Sequence, residues 1–312
     1  MTMTRAVPKI AVIGSINMDL VIRCGRFPEP GETVLAESSA EICGGKGANQ
    51  AVAAARAGGD VLMVGRVGDD AFAGRLRDNL VAQRIDCQAV MSTDGCPSGL
   101  AVVAVRDDGQ NSIMVVPGAN GRLSIDDVKA HADRIRQCDV VLLQLEIPID
   151  TVEALIALIR DSGARVILDP APVPPRWSAS LAAVDLLCPN ETEASQITGL
   201  PVETVEQVVA AAKALHQMGA ANVAITLGAK GTLFYDGHEA HLIEPIAVNA
   251  VDTTAAGDAF AGALAVRWAE TDDLIDAIRF ANAAGGIAAS RPGAQPAMGS
   301  RQEIEDFYRT LS

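Results

Sequence analysis

The chain has 312 residues, 49% of them hydrophobic, and its 39 acidic residues outnumber its 25 basic ones to give a formal net charge of −14. This length, without a low-complexity linker, predicts one large α/β domain or one domain with a subdomain. The acidity makes nucleic acids and anionic membranes poor candidates for partners, so no nucleic-acid or membrane function is expected.

Short apolar runs alternate with helix-period patterns along most of the chain. Runs that are apolar on both faces predict buried strands at 9–14, 61–65, 140–143, 165–168, 186–188 and 222–226. Helices are predicted at 48–57, 71–83, 151–161, 205–218 and 274–290. This alternation predicts an α/β fold with a mostly parallel sheet covered by helices on both sides.

Polar residues follow the first predicted strand, in Gly14-Ser-Ile-Asn-Met-Asp19. Ligands of doubly wound sheets bind at the carboxyl ends of strands. Asn17 can donate and accept hydrogen bonds, and Asp19 can accept them from vicinal hydroxyls. The Gly-x-Gly-x-x-Gly pattern is absent after this strand, which argues against a nicotinamide-dependent oxidoreductase.

Two segments interrupt the alternation of strands and helices. Residues 19–40 and 98–116 are predicted as extended segments with turns at 29–31 and 107–110, and the runs 100–105 and 112–116 predict a β-hairpin. Within a single domain spanning 1–312, we expect insertions at about 17–43 and 98–120 to form a small projecting sheet. Such a sheet would serve as a lid over a site, as a dimerisation surface, or as both.

A glycine-rich segment, Gly44-Gly-Lys-Gly-Ala-Asn49, opens the helix predicted at 48–57. Glycines let the backbone approach a ligand closely, and a helix start offers unpaired amides. Lys46 and Asn49 suit a hydroxylated ligand, whereas the segment lacks the Gly-x-x-x-x-Gly-Lys-Ser/Thr pattern of nucleotide-binding P-loops. A plain loop before a helix is the alternative interpretation.

Acidic residues also follow two later strands. Glu146 comes after the strand at 140–143, where a solvated loop carboxylate is the alternative. Asn190 and Glu193 follow the strand at 186–188 and stand three residues apart at a helix start, so they could share one ligand. An amide oxygen and a carboxylate suit Mg²⁺ held through water, but a helix N-cap with a capping-box partner explains the pair equally well.

The segment Asp252-Thr-Thr-Ala-Ala-Gly-Asp258 leads into a helix-period run that includes Phe260 and Trp268. Its small residues let the backbone close around an anion, and the amides at a helix start lack intrahelical partners. Free amides beside the carboxylate of Asp258 suit phosphoryl transfer, because the amides hold the moving charge and the carboxylate receives a proton. A capped helix after a small-residue turn is the alternative, and the glycine turn at 226–231 is a weak signal alone.

Together these motifs resemble the ribokinase-like family of sugar and nucleoside kinases, nearly end to end. Further matching segments are Pro30-Gly-Glu-Thr-Val34, Pro117-Gly-Ala-Asn120, Gln144-Leu-Glu146, Asp169-Pro-Ala-Pro172 and Gly293-Ala-Gln-Pro296. The resemblance implies a ribokinase-like three-layer core with a β-sheet lid that joins two subunits in a homodimer. It also implies transfer of the γ-phosphate of ATP to the 5-hydroxyl of D-ribose, with Mg²⁺ and a monovalent cation activator, K⁺.

The resemblance also implies a role for each matching residue. Asp258 would be the base, and the amides of the anion hole would come from Ala255, Ala256 and Gly257. The sugar would contact Asp258 and Asn17, Asp19, Gly45, Lys46, Gly47, Asn49 and Glu146. ATP would lie along Asn190, Thr226, Gly228, Lys230, Gly231, Gly257 and Asn282. Glu193 would hold Mg²⁺ through water, and K⁺ would be bound by Asp252, Thr254, Ala288, Arg291, Gly293 and Ala297.

The cysteines and the N-terminal sequence indicate the cellular compartment of the protein. The six cysteines are scattered without Cys-x-x-Cys spacing, which predicts reduced, mostly buried thiols and a cytoplasmic protein. Four widely spaced histidines argue against a zinc site. The apolar run at 10–13 is too short for a signal peptide, and no segment is long enough to cross a bilayer.

Two alternative functions stay open besides the oxidoreductase. One is a kinase of deoxyribose, another pentose or a nucleoside, although only two Trp and two Tyr argue mildly against a base-stacking nucleoside pocket. The other is a sugar-binding or regulatory protein that kept the fold and lost catalysis, against which the intact Gly257 and Asp258 argue.

Overall fold

The computed structural model describes residues 6–106 and 110–310. Strands in this part are β1 (Lys9–Ile13), β2 (Asn17–Arg23), β3 (Ser38–Gly44), β4 (Asp60–Val67), β5 (Asp86–Ser92), β6 (Gly99–Val105), β7 (Asn111–Val116), β8 (Val140–Leu143), β9 (Arg165–Leu168), β10 (Leu186–Leu187), β11 (Asn222–Thr226), β12 (Thr232–Tyr235) and β13 (Ala240–Ile243). Helices are α1 (Lys46–Arg56), α2 (Ala71–Ala82), α3 (Ile125–Lys129), α4 (Ala132–Arg136), α5 (Ile149–Ile159), α6 (Ala179–Ala182), α7 (Glu191–Thr198), α8 (Val205–Gln217), α9 (Ala256–Thr271), α10 (Leu274–Ala289) and α11 (Arg301–Arg309). Short 3₁₀ helices lie at Gly118–Arg122, Gly228–Lys230 and Gln295–Ala297.

The larger sheet has nine strands in the order β13-β12-β11-β10-β9-β8-β1-β4-β5. The strands from β5 to β11 in this order run parallel, and β12 and β13 add to one edge as antiparallel strands. Each predicted strand and helix is confirmed. Strands β8, β9 and β11 have the predicted bounds, and α1 begins two residues before its predicted start at 48.

Alternation along the strands divides the core into two layers, one on each face of the larger sheet. In β1, Ile10 and Val12 belong to the cluster formed with α1, α2, α9, α10 and α11. Ala11 and Ile13 belong to the cluster formed with α3, α4, α5, α7 and α8. Because successive side chains of a strand point to opposite faces, an entirely apolar strand needs helices on both sides. The predicted mostly parallel sheet in a three-layer α/β fold is therefore confirmed.

The smaller sheet has four strands in the order β3-β2-β6-β7. Strands β6 and β7 pair antiparallel, which confirms the predicted hairpin, while residues 107–109 of its predicted turn lie outside the described residues. The predicted turn at 29–31 is present, since the amide of Glu32 donates to the carbonyl of Glu29 over 2.9 Å. Asn17 begins β2 and pairs with Gly44 and Gly99, so the sheet leaves the core where β1 ends.

Two further expectations concern cysteines and membranes. All six cysteines are free thiols, but only Cys24 and Cys188 are buried, so the expectation of mostly buried thiols is wrong for the other four. Three of these four, Cys43, Cys87 and Cys138, pack against the edges of the two core layers and keep part of their surface exposed. Among the described residues, no helix combines the length and the apolar character that a membrane span requires.

Candidate active site

The predicted sugar-contacting residues meet at the carboxyl ends of β1 and β8. Glu146 Oε2 accepts hydrogen bonds from Asn17 Nδ2 over 3.4 Å and from the amide of Lys46 over 3.2 Å. Ser15 Oγ donates to the same oxygen and accepts from the amide of Gly47 over 3.2 Å. Parallel strands bring these loops to one edge of the sheet, and Glu146 joins them.

Two glycines let the start of α1 pack against the loop that follows β1. Gly45 has a φ of 88°, a left-handed conformation that residues with a Cβ rarely adopt. At Gly47, a Cβ would lie 2.6 Å from the carbonyl carbon of Gly14 and 2.6 Å from the amide nitrogen of Ser15. Both of these neighbours are backbone atoms that cannot rotate away. The glycine-rich segment therefore has a packing role as well as its predicted role in ligand contact.

Asp19 provides an acceptor that no described residue uses. Its Oδ1 is buried and receives no hydrogen bond from the described part of the chain. Burial, with the negative charges of Glu146 and Asp258, raises the pKa of Asp19 to about 7. A buried acceptor without a partner destabilises a protein unless a ligand or water fills the position. Asp19 is therefore ready to accept from a donor such as a hydroxyl group.

Asp258 lies in the first turn of α9 and faces the glycine-rich segment rather than solvent. Only 5% of the residue is exposed. Its Oδ2 accepts from Asn49 Nδ2 over 3.0 Å, and its Oδ1 accepts from Gln50 Nε2 over 3.2 Å. The ammonium group of Lys46 lies 3.8 Å from Oδ1. The structure thus brings the predicted base into contact with two residues predicted to bind the sugar.

Lys46 is surrounded by carboxylates. Its Nζ lies 3.2 Å from Asp169 Oδ2, besides its contact with Asp258. Burial alone would lower the pKa of Lys46, but attraction to Asp169, Asp258 and Glu146 outweighs it and the pKa is raised. Burial raises the pKa of Asp169 to about 7, and the charge of Lys46 opposes that shift. Lys46 is therefore a permanent cation that partly neutralises the acidic site.

The backbone just before Asp258 presents free donors. Ala255 has a φ of 58° and precedes α9 without a side-chain cap. In the described part of the chain, no atom accepts from the amides of Ala255, Gly257 and Asp258, whereas the amide of Ala256 donates to the carbonyl of Thr253 over 3.2 Å. Unpaired amides at a helix N-terminus attract anions. Of the three predicted anion-hole amides, two are thus free and one is already bonded.

The residues predicted to contact ATP lie along the ends of β10, β11 and β12. Asn190 forms a parallel bridge with Thr226. The turn after β11 is built on Gly228 and Gly231, with φ of 55° and 92°, and the ammonium group of Lys230 pairs with Glu191 over 3.3 Å.

Asn282, on α10, also reaches this edge of the sheet. Its Oδ1 accepts from Thr232 Oγ1 over 2.8 Å. Since β12 follows the glycine turn directly, the hydrogen bond to Thr232 places Asn282 next to this turn.

Asn190 and Glu193 form the capping box of α7. Asn190 Oδ1 accepts from the amide of Glu193 over 2.9 Å, and Glu193 Oε2 accepts from the amide of Asn190 over 2.8 Å. Glu193 Oε1 accepts from Asn190 Nδ2 over 2.8 Å. The capping interpretation of this pair is therefore correct. Each carboxylate oxygen keeps a lone pair for a water of Mg²⁺, so the pair also fits the predicted indirect role.

The residues predicted to bind K⁺ lie on two segments that the structure joins. The two oxygens of Asp252 accept from the amides of Thr254 and Gly293, each over 2.9 Å. Burial would raise the pKa of Asp252, but these hydrogen bonds outweigh it and the pKa is lowered. The carbonyl of Ala288 accepts from the amide of Arg291 over 3.2 Å. A carboxylate with nearby carbonyls provides the oxygen ligands that K⁺ prefers.

Six buried polar residues of the site were not predicted as site residues. The sequence signal for these residues was their place inside, or directly after, the segments that carry the resemblance. They are Ser15, Gln50, Asn120, Gln144, Asp169 and Gln295. Asn120 orients Asn17 by donating to its Oδ1 over 2.7 Å. Gln50 donates to Asp169 as well as to Asp258, and it accepts from Gln144. These residues support the predicted ones rather than replace them.

The chain is similar to known carbohydrate kinases over nearly its whole length. A model of the pfkB family of carbohydrate kinases matches residues 7–300. The chain is similar to a ribokinase of Haemophilus influenzae, at 37% identity over 96% of this chain and 97% of that protein. It is also similar to a deoxyribokinase of Salmonella typhi, at 38% identity over 97% of this chain and 98% of that protein. The structure of Arabidopsis thaliana ribokinase complexed with ribose and ATP matches with a TM-score of 0.89 and 35% identity, over 97% of this chain and 99% of that one.

Proposed function

Since the chain belongs to the pfkB family of carbohydrate kinases, we propose that it transfers the γ-phosphate of ATP to the 5-hydroxyl of D-ribose, giving D-ribose 5-phosphate and ADP. One observation carries this proposal: a buried carboxylate, Asp258, lies between free amides of α9 and two polyol-binding candidates, Asn49 and Lys46. Such a place can hold a sugar hydroxyl and a terminal phosphate next to each other.

The sugar is neutral and densely hydroxylated, so its site needs oriented donors and acceptors rather than net charge. Asn17, Asp19, Asn49 and Glu146 supply them, and the unused Oδ1 of Asp19 is one acceptor that a sugar hydroxyl can fill. Each sugar hydroxyl that gives up its hydrogen bonds to water without gaining one from the protein costs about 1–3 kcal/mol of binding free energy. We propose that these four residues, with Lys46 and the backbone of Gly45 and Gly47, bind the sugar.

Phosphoryl transfer in this site depends mainly on position and charge. The transition state is loose, so Asp258 accepts the proton of the 5-hydroxyl late, after the phosphoryl group has begun to move. The free amides of Ala255 and Gly257 stabilise the charge on that group, and Ala256 contributes once its bond to Thr253 opens. ATP lies along Asn190, Thr226, Gly228, Lys230, Gly231 and Asn282. Mg²⁺, held through water by Glu193, would neutralise phosphate charge when bound.

The function is tested by ADP release from ATP over a panel of pentoses, hexoses and nucleosides. D-Ribose is expected to give the highest kcat/KM. ADP release that does not depend on the sugar would contradict the proposal.

A second candidate substrate is 2-deoxy-D-ribose, because the similarity to a deoxyribokinase is as high as the similarity to a ribokinase. A site that bonds the 2-hydroxyl rejects the sugar that lacks it, because its polar groups are then left unpaired. The same assay decides between them: a kcat/KM that is higher for 2-deoxy-D-ribose than for D-ribose favours the second candidate.

The anion-hole proposal predicts that a substitution at Gly257 lowers the activity of the protein without lowering its stability. A Cβ added there meets no atom within 4 Å, and alanine favours a helix more than glycine does, so Gly257→Ala is not expected to lower the melting temperature. The methyl group would nevertheless occupy space beside the free amides and displace the phosphoryl group, and kcat is expected to fall about 10–100-fold. Gly74→Ala is the matched control, since Gly74 lies in α2 and its Cβ also meets open space. Equal kcat in the two variants would contradict the anion hole.

The sugar-site proposal predicts a pH dependence of sugar affinity. The carboxylate form of Asp19 accepts more hydrogen bonds than the protonated form, and its pKa is about 7. Sugar affinity is therefore expected to rise as the pH rises through about 7. Calorimetric titration at pH 6 and pH 8 measures this change. Asp169 titrates in the same range, so Asp19→Asn is needed as the control, and an unchanged pH dependence in that variant would exclude Asp19 as the cause.

We also propose that K⁺ binds between the two joined segments, at Asp252, Thr254, Ala288, Arg291, Gly293 and Ala297. A cation there would lie beside the start of α9 and would hold Ala255 in its left-handed conformation. Replacing potassium by sodium or by a bulky organic cation is expected to depress turnover. Turnover that stays constant across these salts would contradict the proposed K⁺ site.

The smaller sheet is proposed as a lid that excludes water from the site and joins two subunits. Its strand β7 is an edge strand on which Ile113, Met114, Val115 and Val116 are all 45–64% exposed. An exposed apolar edge strand usually pairs with another surface. Light scattering should give twice the chain mass, and a monomer at micromolar concentration would contradict the homodimer.

The free thiols support a reducing compartment, and we propose that the protein lies in the cytoplasm.

A further inference from the structure

A chain of side-chain amides connects α2 to the carboxylate of Asp258. Asn79 Nδ2 donates to Gln295 Oε1 over 2.7 Å, and Gln295 Nε2 donates to Asn49 Oδ1 over 3.0 Å. Asn49 Nδ2 then donates to Asp258 Oδ2 over 3.0 Å. Gln295 and Asn49 are only 5% and 6% exposed, so water does not compete with these hydrogen bonds, whereas Asn79 is partly exposed.

The orientation of each amide in this chain fixes the next one. An ionised carboxylate only accepts hydrogen bonds, so Asn49 must turn its NH₂ group toward Asp258. Its carbonyl oxygen then faces Gln295, which must in turn present its own NH₂ group. The carbonyl oxygen of Gln295 therefore faces Asn79, which has to be a donor. A reversal at one end of the chain would be transmitted to the other end.

Gln295 is also anchored through its backbone. Arg56, at the end of α1, donates from Nη1 to the carbonyl of Gln295 over 2.7 Å and to the carbonyl of Met298 over 2.8 Å. Gln295 lies between Gly293 and Ala297, which belong to the proposed K⁺ site. Its side chain and its backbone thus connect this loop with α1, α2 and the start of α9.

We propose that Gln295 is a positioning residue: through Asn49 it holds Asp258 in the orientation in which the carboxylate receives the proton of the sugar hydroxyl. This proposal rests on the proposed role of Asp258. In this role Gln295 acts through Asn49, by keeping the NH₂ group of Asn49 turned toward the base. Asn79 is compatible with this orientation of Gln295, because its NH₂ group donates to the carbonyl oxygen of Gln295 near the surface.

Substitutions at Asn79 test the proposal, because this residue is the most distant from the site. In Asn79→Asp the new carboxylate can only accept, so Gln295 must turn its NH₂ group away from Asn49, and Asn49 then loses its orientation. In Asn79→Ala, water can replace the lost donor because the position is partly exposed. We expect kcat to fall about 10–100-fold in Asn79→Asp with an unchanged KM for ATP, and to stay close to the wild-type value in Asn79→Ala.

Gln83→Glu is the matched charge control. Gln83 also lies at the end of α2, and its Oε1 accepts from Arg56 Nε over 3.0 Å, a role that a carboxylate retains. This variant is expected to keep the wild-type kcat. All variants are assayed with whichever sugar or nucleoside the wild-type protein phosphorylates fastest, so the outcome does not depend on D-ribose being the substrate.

The order of the kcat values of these variants tests the proposal. A purely structural role predicts that activity follows the melting temperature, with Asn79→Ala at least as impaired as Asn79→Asp, and that result would overturn the proposal. Should Asn79→Asp fail to fold, Gln295→Met gives the same decision, because it keeps the volume and removes the donor to Asn49. A kcat of Gln295→Met equal to that of the wild type would also overturn it.

Discussion

Asp258→Asn is expected to lower kcat about 10²–10⁴-fold, the range that loss of a general base usually produces. The amide of asparagine has the same shape as the carboxylate but cannot take the proton of the sugar hydroxyl. Its oxygen can still accept from one of the donors that surround Asp258, Asn49 Nδ2 or Gln50 Nε2. We therefore expect the dissociation constant for the sugar to change little. Steady-state kinetics and calorimetric titration with the sugar measure the two quantities.

Asp273→Asn is the matched control for this variant. Asp273 caps α10 by accepting from the amides of Ile275 and Asp276, and asparagine caps helices equally well. The same chemical change away from the site should leave kcat and stability unchanged. If Asp258→Asn turned over at the rate of this control, Asp258 would not be the base and another group would have to receive the proton.

The fold was predictable because the central strands of the larger sheet each carry their own apolar signal. Strand β8 consists of four residues that are all buried, and its bounds agree with the predicted ones. The antiparallel strand β13 was missed, since three of its four residues keep contact with solvent and its pattern is weak. The start of α1 was misplaced by two residues. Gly45, with its left-handed backbone, allows the helix to begin at Lys46, which the apolar pattern could not reveal.

The candidate site was predictable where a motif follows a strand, because parallel strands bring their carboxyl ends to one edge. The supporting residues were not predictable in the same way. Gln295 contacts Asn49 across 246 residues of chain, and Gln50 contacts Asp258 across 208. Contacts of this kind follow from packing between helices and leave no local pattern. The pair Asn190 and Glu193 shows a further limit, since one spacing fits both a capping box and a metal site.

Lys46→Met is expected to destabilise the protein strongly, because it removes the cation from two buried carboxylates. Asp169 and Asp258 have side chains that are only 10% and 6% exposed. Loss of one partner of a buried ion pair costs about 3–5 kcal/mol, and the partial exposure of Lys46, 29%, places the expected loss near 3 kcal/mol. Chemical denaturation measures this loss, and Lys213→Met, at an exposed position of α8, is the matched control.

The pH dependence and a second substitution make this prediction specific. The pKa of Asp169 is about 7 in the folded protein against 3.8 for a free side chain, so the folded state binds this proton more tightly and loses stability as the pH rises between these values. Without Lys46 the folded pKa rises further, and the loss continues to higher pH. The difference in unfolding free energy between wild type and Lys46→Met should therefore be larger at pH 8.5 than at pH 6. Adding Asp169→Asn to Lys46→Met removes the titrating group. The double variant should therefore be more stable than Lys46→Met at pH 8.5, while its turnover stays low. A double variant less stable than Lys46→Met would show that Lys46 does not stabilise the site by neutralising Asp169.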